Sequence, residues 1–342
     1  MCVGGRRGNQ GGVLDISQNR HSTFDSMEIL RRLFLSAIIF VCLPGKGVCV
    51  SGPPPQAAAV GYFTNTFSSN FTPSTVDLSN TRRLGFKWYL WQFFGQRTTN
   101  RRTLEFNPDG SVSLFGDNNS RGGNLATAAP GKNSSKFVGT AFGGGGYFEG
   151  ILKFNPKSVV RRKGWPAYWS VALEHLVALQ SVRWFGQGEG FEHFIEPDFF
   201  EYDMPGGGNQ YGGAIHEWYG IYNKTCAHFC DILIPNYRRV VPENTDFNQF
   251  HKYGFLWVRA TPSRRGYAEY YFDDHRVGAR TVWVQFKDQP PPSVARSVSP
   301  WSFGIIDRQH LVLVLGSGPG EPMTVRSVNV WQYSSSEDMS GF

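Results

Sequence analysis

Three carboxylates fall within six residues at Glu196-Pro197-Asp198-Phe199-Phe200-Glu201. Like charges this close raise one another's pKa, so part of the cluster holds a proton near neutral pH. A carboxylic acid beside an ionised carboxylate is what glycoside hydrolysis needs: one group attacks or stabilises the anomeric carbon, and the other protonates the leaving oxygen. Pro197 argues against a helix here. On a strand, side chains alternate, and Glu196 and Asp198 share a face. Glu201 lies five positions past Glu196 and points the other way on a regular strand. A β-bulge between Asp198 and Glu201 adds one residue and returns it to the shared face. The two glutamates are then four steps apart, about 13 Å between Cα atoms at roughly 3.3 Å per step. Twist and two long side chains leaning inward close that to about 5 Å, the separation of a retaining pair. An acidic surface strand has the same residues, so the triplet alone leaves both readings open.

The elements around this stretch read as short strands. Leu104-Glu105-Phe106, a turn at Asn107-Pro108-Asp109-Gly110, and Ser111 to Phe115 form a strand-turn-strand pattern. Tyr147 to Phe154, Tyr253 to Arg259, Ala268 to Phe272 and Met323 to Tyr333 are further strand candidates, and Asp273-Asp274 reads as a turn. Leu311 to Leu315 is apolar throughout, as a strand covered on both faces would be. His175 to Ser181 reads as a short helix or loop, and no long amphipathic helix is present. Many short strands with few helices predict an all-β sandwich or barrel. The 40 Gly and 20 Pro supply the turns.

Composition narrows the function classes. Hydrophobic residues make up 40% and charged ones 18%, which excludes wholesale disorder. Aromatics reach 15%, enough to furnish stacking platforms as well as a core. The net charge is +7, yet the basic pairs Arg82-Arg83, Arg101-Arg102, Arg161-Arg162, Arg238-Arg239 and Arg264-Arg265 are scattered. A nucleic-acid binder concentrates such charge on one face, so nucleic acid is not an expected partner; the scattered pairs read as a solvated basic surface, with attraction to an anionic polymer such as a sulfated or acidic glycan as the alternative. Residues 1–26 are polar and Gly-rich, without periodicity, and are expected to be disordered. Met27 then opens a basic stretch, an apolar run from Leu33 to Leu43, and small residues to Gly52, which reads as a secretory signal over 27–52. That run is too short to span a bilayer, so no stable membrane insertion is expected. Residues 53–62 read as a linker starting at Pro53-Pro54-Pro55, 63–335 as one catalytic domain, and 336–342 as a tail. Secretion permits a disulfide between Cys226 and Cys230, and the spacing matches no common zinc site. Asn70, Asn118, Asn133 and Asn223 open Asn-x-Ser/Thr triplets.

Set beside its neighbours, the carboxylate strand belongs to an ordered set of motifs. Tyr147-Phe148-Glu149-Gly150-Ile151-Leu152-Lys153, Gly164-Trp165-Pro166-Ala167-Tyr168-Trp169, Glu196-x-Asp-x-x-Glu201, Phe250-His251-Lys252-Tyr253 through Trp257, Tyr271 to Asp274, and Met323 to Trp331 follow one another in sequence. In this order they resemble glycoside hydrolase family 16, over roughly residues 63–333. The resemblance implies a concanavalin A-like jelly-roll β-sandwich of two curved antiparallel sheets. It further implies a secreted, retaining endo-glycosidase that cleaves a β-1,3 or mixed-linkage glucan, or a galactan. Glu196 would be the nucleophile, Glu201 the general acid/base, and Asp198 the group that tunes the nucleophile. Trp165, Trp169, Trp218 and His251 become candidates for binding substrate, with core packing the alternative for Trp165 and Trp169 and a satisfied core position the alternative for His251. No metal or cofactor is implied, and a monomer is expected. Transglycosylation, or non-catalytic sugar binding on the same fold, are the alternatives. The chain departs from the family pattern at Pro197, at the long segment from His175 to Ile195, and at Asp274 in a turn where glycine is common.

Overall fold

The short alternating runs become the strands of a computed structural model that describes residues 52–91, 101–115, 123–132, 136–159, 165–178, 191–203, 208–221, 230–233, 237–287, 303–316 and 323–333. In chain order among these residues the strands are β1 (Thr64–Asn70), β2 (Val76–Asp77), β3 (Trp88–Tyr89), β4 (Leu104–Phe106), β5 (Val112–Leu114), β6 (Asn124–Ala126), β7 (Ala128–Pro130), β8 (Phe137–Gly139), β9 (Gly146–Phe154) and β10 (Ala167–Ala172). They continue with β11 (Phe191–Glu201), β12 (Gln210–Ile221), β13 (Cys230–Leu233), β14 (Arg238–Val240), β15 (His251–Val258), β16 (Gly266–Phe272), β17 (His275–Trp283), β18 (Leu311–Gly316) and β19 (Met323–Gln332). Two short helices, α1 (Pro55–Ala58) and α2 (Leu173–Ala178), and a 3-10 turn at Phe303–Arg308 complete the described elements used below.

The strands form two large sheets. One runs β17-β16-β15-β9-β19-β5-β4, with β1 also on β19; the other runs β13-β12-β11-β10-β18-β6-β3-β2, with β14 also on β12. Pairing is antiparallel except between β2 and β3. This is the expected all-β jelly-roll sandwich. The strands expected at 104–106, 111–115, 147–154, 253–259, 268–272, 311–315 and 323–333 are present within one or two residues, whereas β1 to β3, β6 to β8, β12 to β14 and β17 are not marked by the sequence pattern.

Between the sheets lies an aromatic core. Phe199 from the second sheet stacks on Phe148 and Phe255 from the first, with ring centroids 5.4 and 4.7 Å away. Central β18 is buried along its whole length: Leu311, Leu313 and Leu315 enter the main core, while Val312 and Val314 join a smaller apolar cluster on the opposite face. That explains its unbroken apolar run, since both faces are covered. Edge strand β17 instead exposes much of its length and carries Arg276 and Arg280, which discourages pairing with another chain. Asp273 and Asp274 make the preceding turn with φ of 47° and 67°, a left-handed geometry that aspartate tolerates better than most residues.

One expectation is overturned. Residues 53–62 do not form a free linker: Pro55 sits at the start of α1, as its fixed φ favours. Ala57 and Tyr62 pack with Tyr147, Leu256, Val258 and Trp331 on the outer face of the first sheet. The Tyr62 hydroxyl donates to the Trp257 carbonyl at 2.7 Å, and Gln56 Nε2 donates to the Tyr147 hydroxyl at 2.6 Å. Burying apolar and hydrogen-bonded groups outweighs what the proline-rich composition suggested. The expectations of disorder over 1–26, of a signal over 27–52, of a Cys226–Cys230 disulfide and of a tail over 336–342 fall outside the described residues, apart from Gly52 and the backbone of Cys230, which begins β13.

Candidate active site

The acid strand is fixed by what lies behind it. Opposite β12, the register runs Glu196↔His216, Pro197↔Ile215 and Asp198↔Ala214, then shifts so that Glu201 faces Gly212. Phe199 and Phe200 together occupy the space opposite Gly213, which makes a bulge. Both rings enter the main core, and Phe200 packs on Tyr253 at 4.3 Å and Phe154 at 5.3 Å. Each buried phenylalanine contributes roughly 1.5–3 kcal/mol, so the pair drives two consecutive side chains inward. The geometric consequence is that Glu196, Asp198 and Glu201 share the face turned away from the first sheet.

Each acid meets one aromatic nitrogen. Trp218 Nε1 donates to Glu196 Oε2 at 3.1 Å, and Trp165 Nε1 donates to Glu201 Oε1 at 2.8 Å. His216 Nε2 lies 3.3 Å from Asp198 Oδ2. Asp198 is only 2% exposed, whereas Glu196 and Glu201 are half-buried and accessible. Burial pushes Glu201 up to about 8; the Asp198 charge adds to the rise, and the Trp165 N–H and His216 oppose it. Glu196 is raised as well, first by burial and then by Asp198, while His216 and Trp218 favour its charged form. The three carboxyls therefore titrate as a group, with apparent pKa values that belong to the set.

Trp165, Trp169 and Trp218 are all brought to this face. Trp169 pairs with Asp198 across β10 and β11, and with Trp218 it packs on the apolar cluster that holds Phe194, Val312 and Val314. A row of rings runs along the acid strand: His175 stacks on Phe194 at 3.7 Å, Phe194 on Trp218 at 6.4 Å, and Trp218 on His216 at 5.4 Å.

His251 is the candidate not brought to the acids, and the expectation that it lines the site is corrected. It lies on β15 of the first sheet, behind the acid strand. Its Nδ1 is 2.7 Å from Asp273 Oδ2, its Nε2 donates to the Asp246 carbonyl at 3.1 Å, and its ring stacks on Phe272 at 4.9 Å. It pins two turns. Conversely, sequence reasoning missed His216. Its signal was the alternation His216-Glu217-Trp218, which puts His216 on the same face as Trp218 and sends Glu217 inward to a fully buried contact with His193 at 2.7 Å.

Pro197 finds a physical account. The ladder between β10 and β11 runs Ala167↔Glu201, Tyr168↔Phe200, Trp169↔Asp198 and ends there. A proline has no N–H to continue it. The Pro197 carbonyl instead accepts from the buried Ser170 hydroxyl at 3.2 Å. One step earlier, the side chain of Gln309 replaces the missing neighbour strand. Its Oε1 accepts from the Ile195 N–H at 3.0 Å, and its Nε2 donates to the His193 carbonyl at 3.1 Å. Gln309 is 1% exposed, so the amide satisfies backbone groups that water cannot reach.

No family model matches the chain, and no curated protein matches it. Among solved structures, it is similar to an endo-1,3-beta-glucanase from Streptomyces sioyaensis, at 14% identity and a TM-score of 0.46, covering 78% of this chain and 95% of that one. A kappa-carrageenase from Pseudoalteromonas carrageenovora is similar at 12% identity and a TM-score of 0.42, covering 70% and 87%. β-Agarase A from Zobellia galactanivorans gives 15% identity and a TM-score of 0.35, covering 62% and 73%.

Proposed function

We propose that the protein is a retaining glycosidase that cleaves internal β-linkages of a polysaccharide. The observation that carries this reading is the Phe199-Phe200 bulge, which gathers Glu196, Asp198 and Glu201 on one face, each beside an aromatic nitrogen. A protonated Glu201, with its pKa raised to about 8, is suited to protonate the leaving oxygen at neutral pH. Glu196 attacks the anomeric carbon. The attacking form is the carboxylate, which His216 and the Trp218 N–H favour against burial and Asp198, so reaction proceeds from the ionised fraction. Asp198, in contact with His216, lies between the two on the strand. Water then enters, Glu201 takes its proton, and the glycosyl–Glu196 ester is released with net retention. Trp169 and Trp218 offer ring faces to the sugars. The resemblance of the motifs to glycoside hydrolase family 16 supports a glucan or galactan substrate, and the signal-like stretch over 27–52 supports secretion.

The test is oligosaccharide release from a panel of glucans and galactans, with the anomer of the first product read by NMR. Glu201→Gln is expected to lower release by about 10²–10⁴-fold, and Glu196→Gln to abolish it. Full activity in both variants, or an inverted first product, sinks the proposal.

A further inference from the structure

The acid strand β11 lies toward one end of its sheet, and β18, β6, β3 and β2 continue that sheet to the other end. The described segments that carry β3 and β6, residues 78–91 and 123–126, hold Arg82, Arg83 and Lys87 and no Asp/Glu, and the one carboxylate of neighbouring β2 is Asp77. The register links the two ends in one line. Tyr89 pairs with Ala126, Ala126 with Val314, Val314 with Trp169, and Trp169 with Asp198. Four strand spacings of about 4.8 Å place Tyr89 roughly 19 Å from the acids. A linear glycan lying across the strands reaches from one end to the other.

At the far end stands Arg82. Its guanidinium lies over the ring of Trp91, 5.4 Å from the centroid. Trp91 packs on the same apolar cluster as Trp169 and Trp218, so the three indoles share a face. Arg82 is half-buried, and its Nε is buried without a hydrogen-bond acceptor among the described residues. The nearby carboxylate, Asp77, is spent elsewhere. It accepts from the Arg82 backbone N–H at 2.6 Å and from the Thr81 N–H and hydroxyl at 2.9 and 3.0 Å. Those bonds hold Arg82 at a φ of 50°, a conformation uncommon for a residue with a side chain. The chain thus fixes the backbone of a cation, places it on an indole, and gives its Nε no acceptor and its guanidinium no carboxylate within 4.0 Å among the described residues. Planar guanidinium forks suit sulfate and carboxylate oxygens.

We propose that Arg82, stacked on Trp91, is a distal subsite for an anionic substituent on the sugar chain, a sulfate ester or a uronate carboxylate, so that the polysaccharide bound at the acid face is an anionic one. This deepens the glycosidase reading and rests on it for the direction in which the glycan lies. Binding separates the two. The full chain carrying Glu196→Gln is measured by interferometry on immobilised kappa-carrageenan, alginate and neutral laminarin, at about 0.15 M salt to screen diffuse attraction. At least one anionic glycan is expected to bind about tenfold tighter than laminarin, the sulfated and uronate arms telling which substituent is read. Arg82→Gln, which keeps the stacked stem, is expected to weaken that binding about tenfold. Lys157→Gln, an exposed site with the same charge change, is expected to leave it unchanged. Melting curves establish that each variant is folded. Rising salt, measured on the unaltered surface, is expected to weaken the anionic glycan and spare laminarin. Equal binding to neutral and anionic glycans, or equal losses in the Arg82 and Lys157 variants, overturns the subsite. Arg82-dependent binding by a chain that cleaves none of the glycans supports the subsite and refutes the glycosidase reading alone.

Discussion

Replacing Trp165 by phenylalanine keeps a ring and deletes one N–H. That N–H donates to Glu201 Oε1 at 2.8 Å and favours its charged form. Its loss raises the Glu201 pKa further. A hydrogen bond to a charged group contributes roughly 1.5–3 kcal/mol. Both partners are half-buried, so the lower end applies, and about 1.4 kcal/mol corresponds to one pKa unit. If protonated Glu201 is the general acid, activity falls as pH rises through its pKa, which lies at about 8 in the unaltered protein. Trp165→Phe therefore moves the basic limb of the pH–rate profile upward by about one unit. The assay is initial oligosaccharide release from pH 5 to 10 at saturating glycan, with Glu201→Gln as the variant that should lack this limb. A basic limb that stays in place or moves down refutes the assignment of the proton to Glu201, however much the rate itself changes.

Three further outcomes test the framework behind the site. Phe199→Ala empties a space between Phe148, Phe255 and Tyr168 and is expected to cost about 3–5 kcal/mol in denaturant unfolding; a loss under 1 kcal/mol would mean that the bulge is not held by this packing. Gln309→Ala strands the Ile195 N–H and the His193 carbonyl, for about 1–3 kcal/mol per orphaned group, and faster amide exchange at Ile195 is the direct readout. Glu269 behaves oppositely to Glu196 and Glu201. Burial alone would raise its pKa, but hydrogen bonds from Arg276, Tyr271 and Arg280 outweigh that and hold it below 4.5. A carboxylate lowered in the folded state contributes stability above its unfolded pKa and loses it as pH falls through the folded value. Glu269→Gln should thus destabilise at pH 7 and make little difference well below pH 4; an equal loss at both values would show that the charge is not involved.

Much of this was legible in the chain. The alternation of β9, β15, β16 and β19 marked strands with one committed face, and the apolar run of β18 marked a strand covered on both. The acid triplet left a catalytic and a surface reading open until its neighbouring motifs were added, and its spacing required a bulge if the acids were to act together. Residues 53–62 were misread because a proline-rich stretch looks like a linker until a surface exists for Ala57 and Tyr62 to bury against. His251 was misjudged for a similar reason: a histidine beside a strand carries no mark of which sheet it will join.

The sequence by itself determined the strand pattern and the set of acids, because side-chain alternation and residue chemistry are local. Tertiary structure alone decided which nitrogen meets which carboxyl. Trp165, His216 and Trp218 come from the neighbouring strands or their flanks, and only the register between strands sets Trp165 against Glu201, His216 against Asp198 and Trp218 against Glu196. The same is true of Pro197. Its missing N–H is local, but what completes the backbone beside it is Gln309, more than a hundred residues away in sequence and a hydrogen bond away in space.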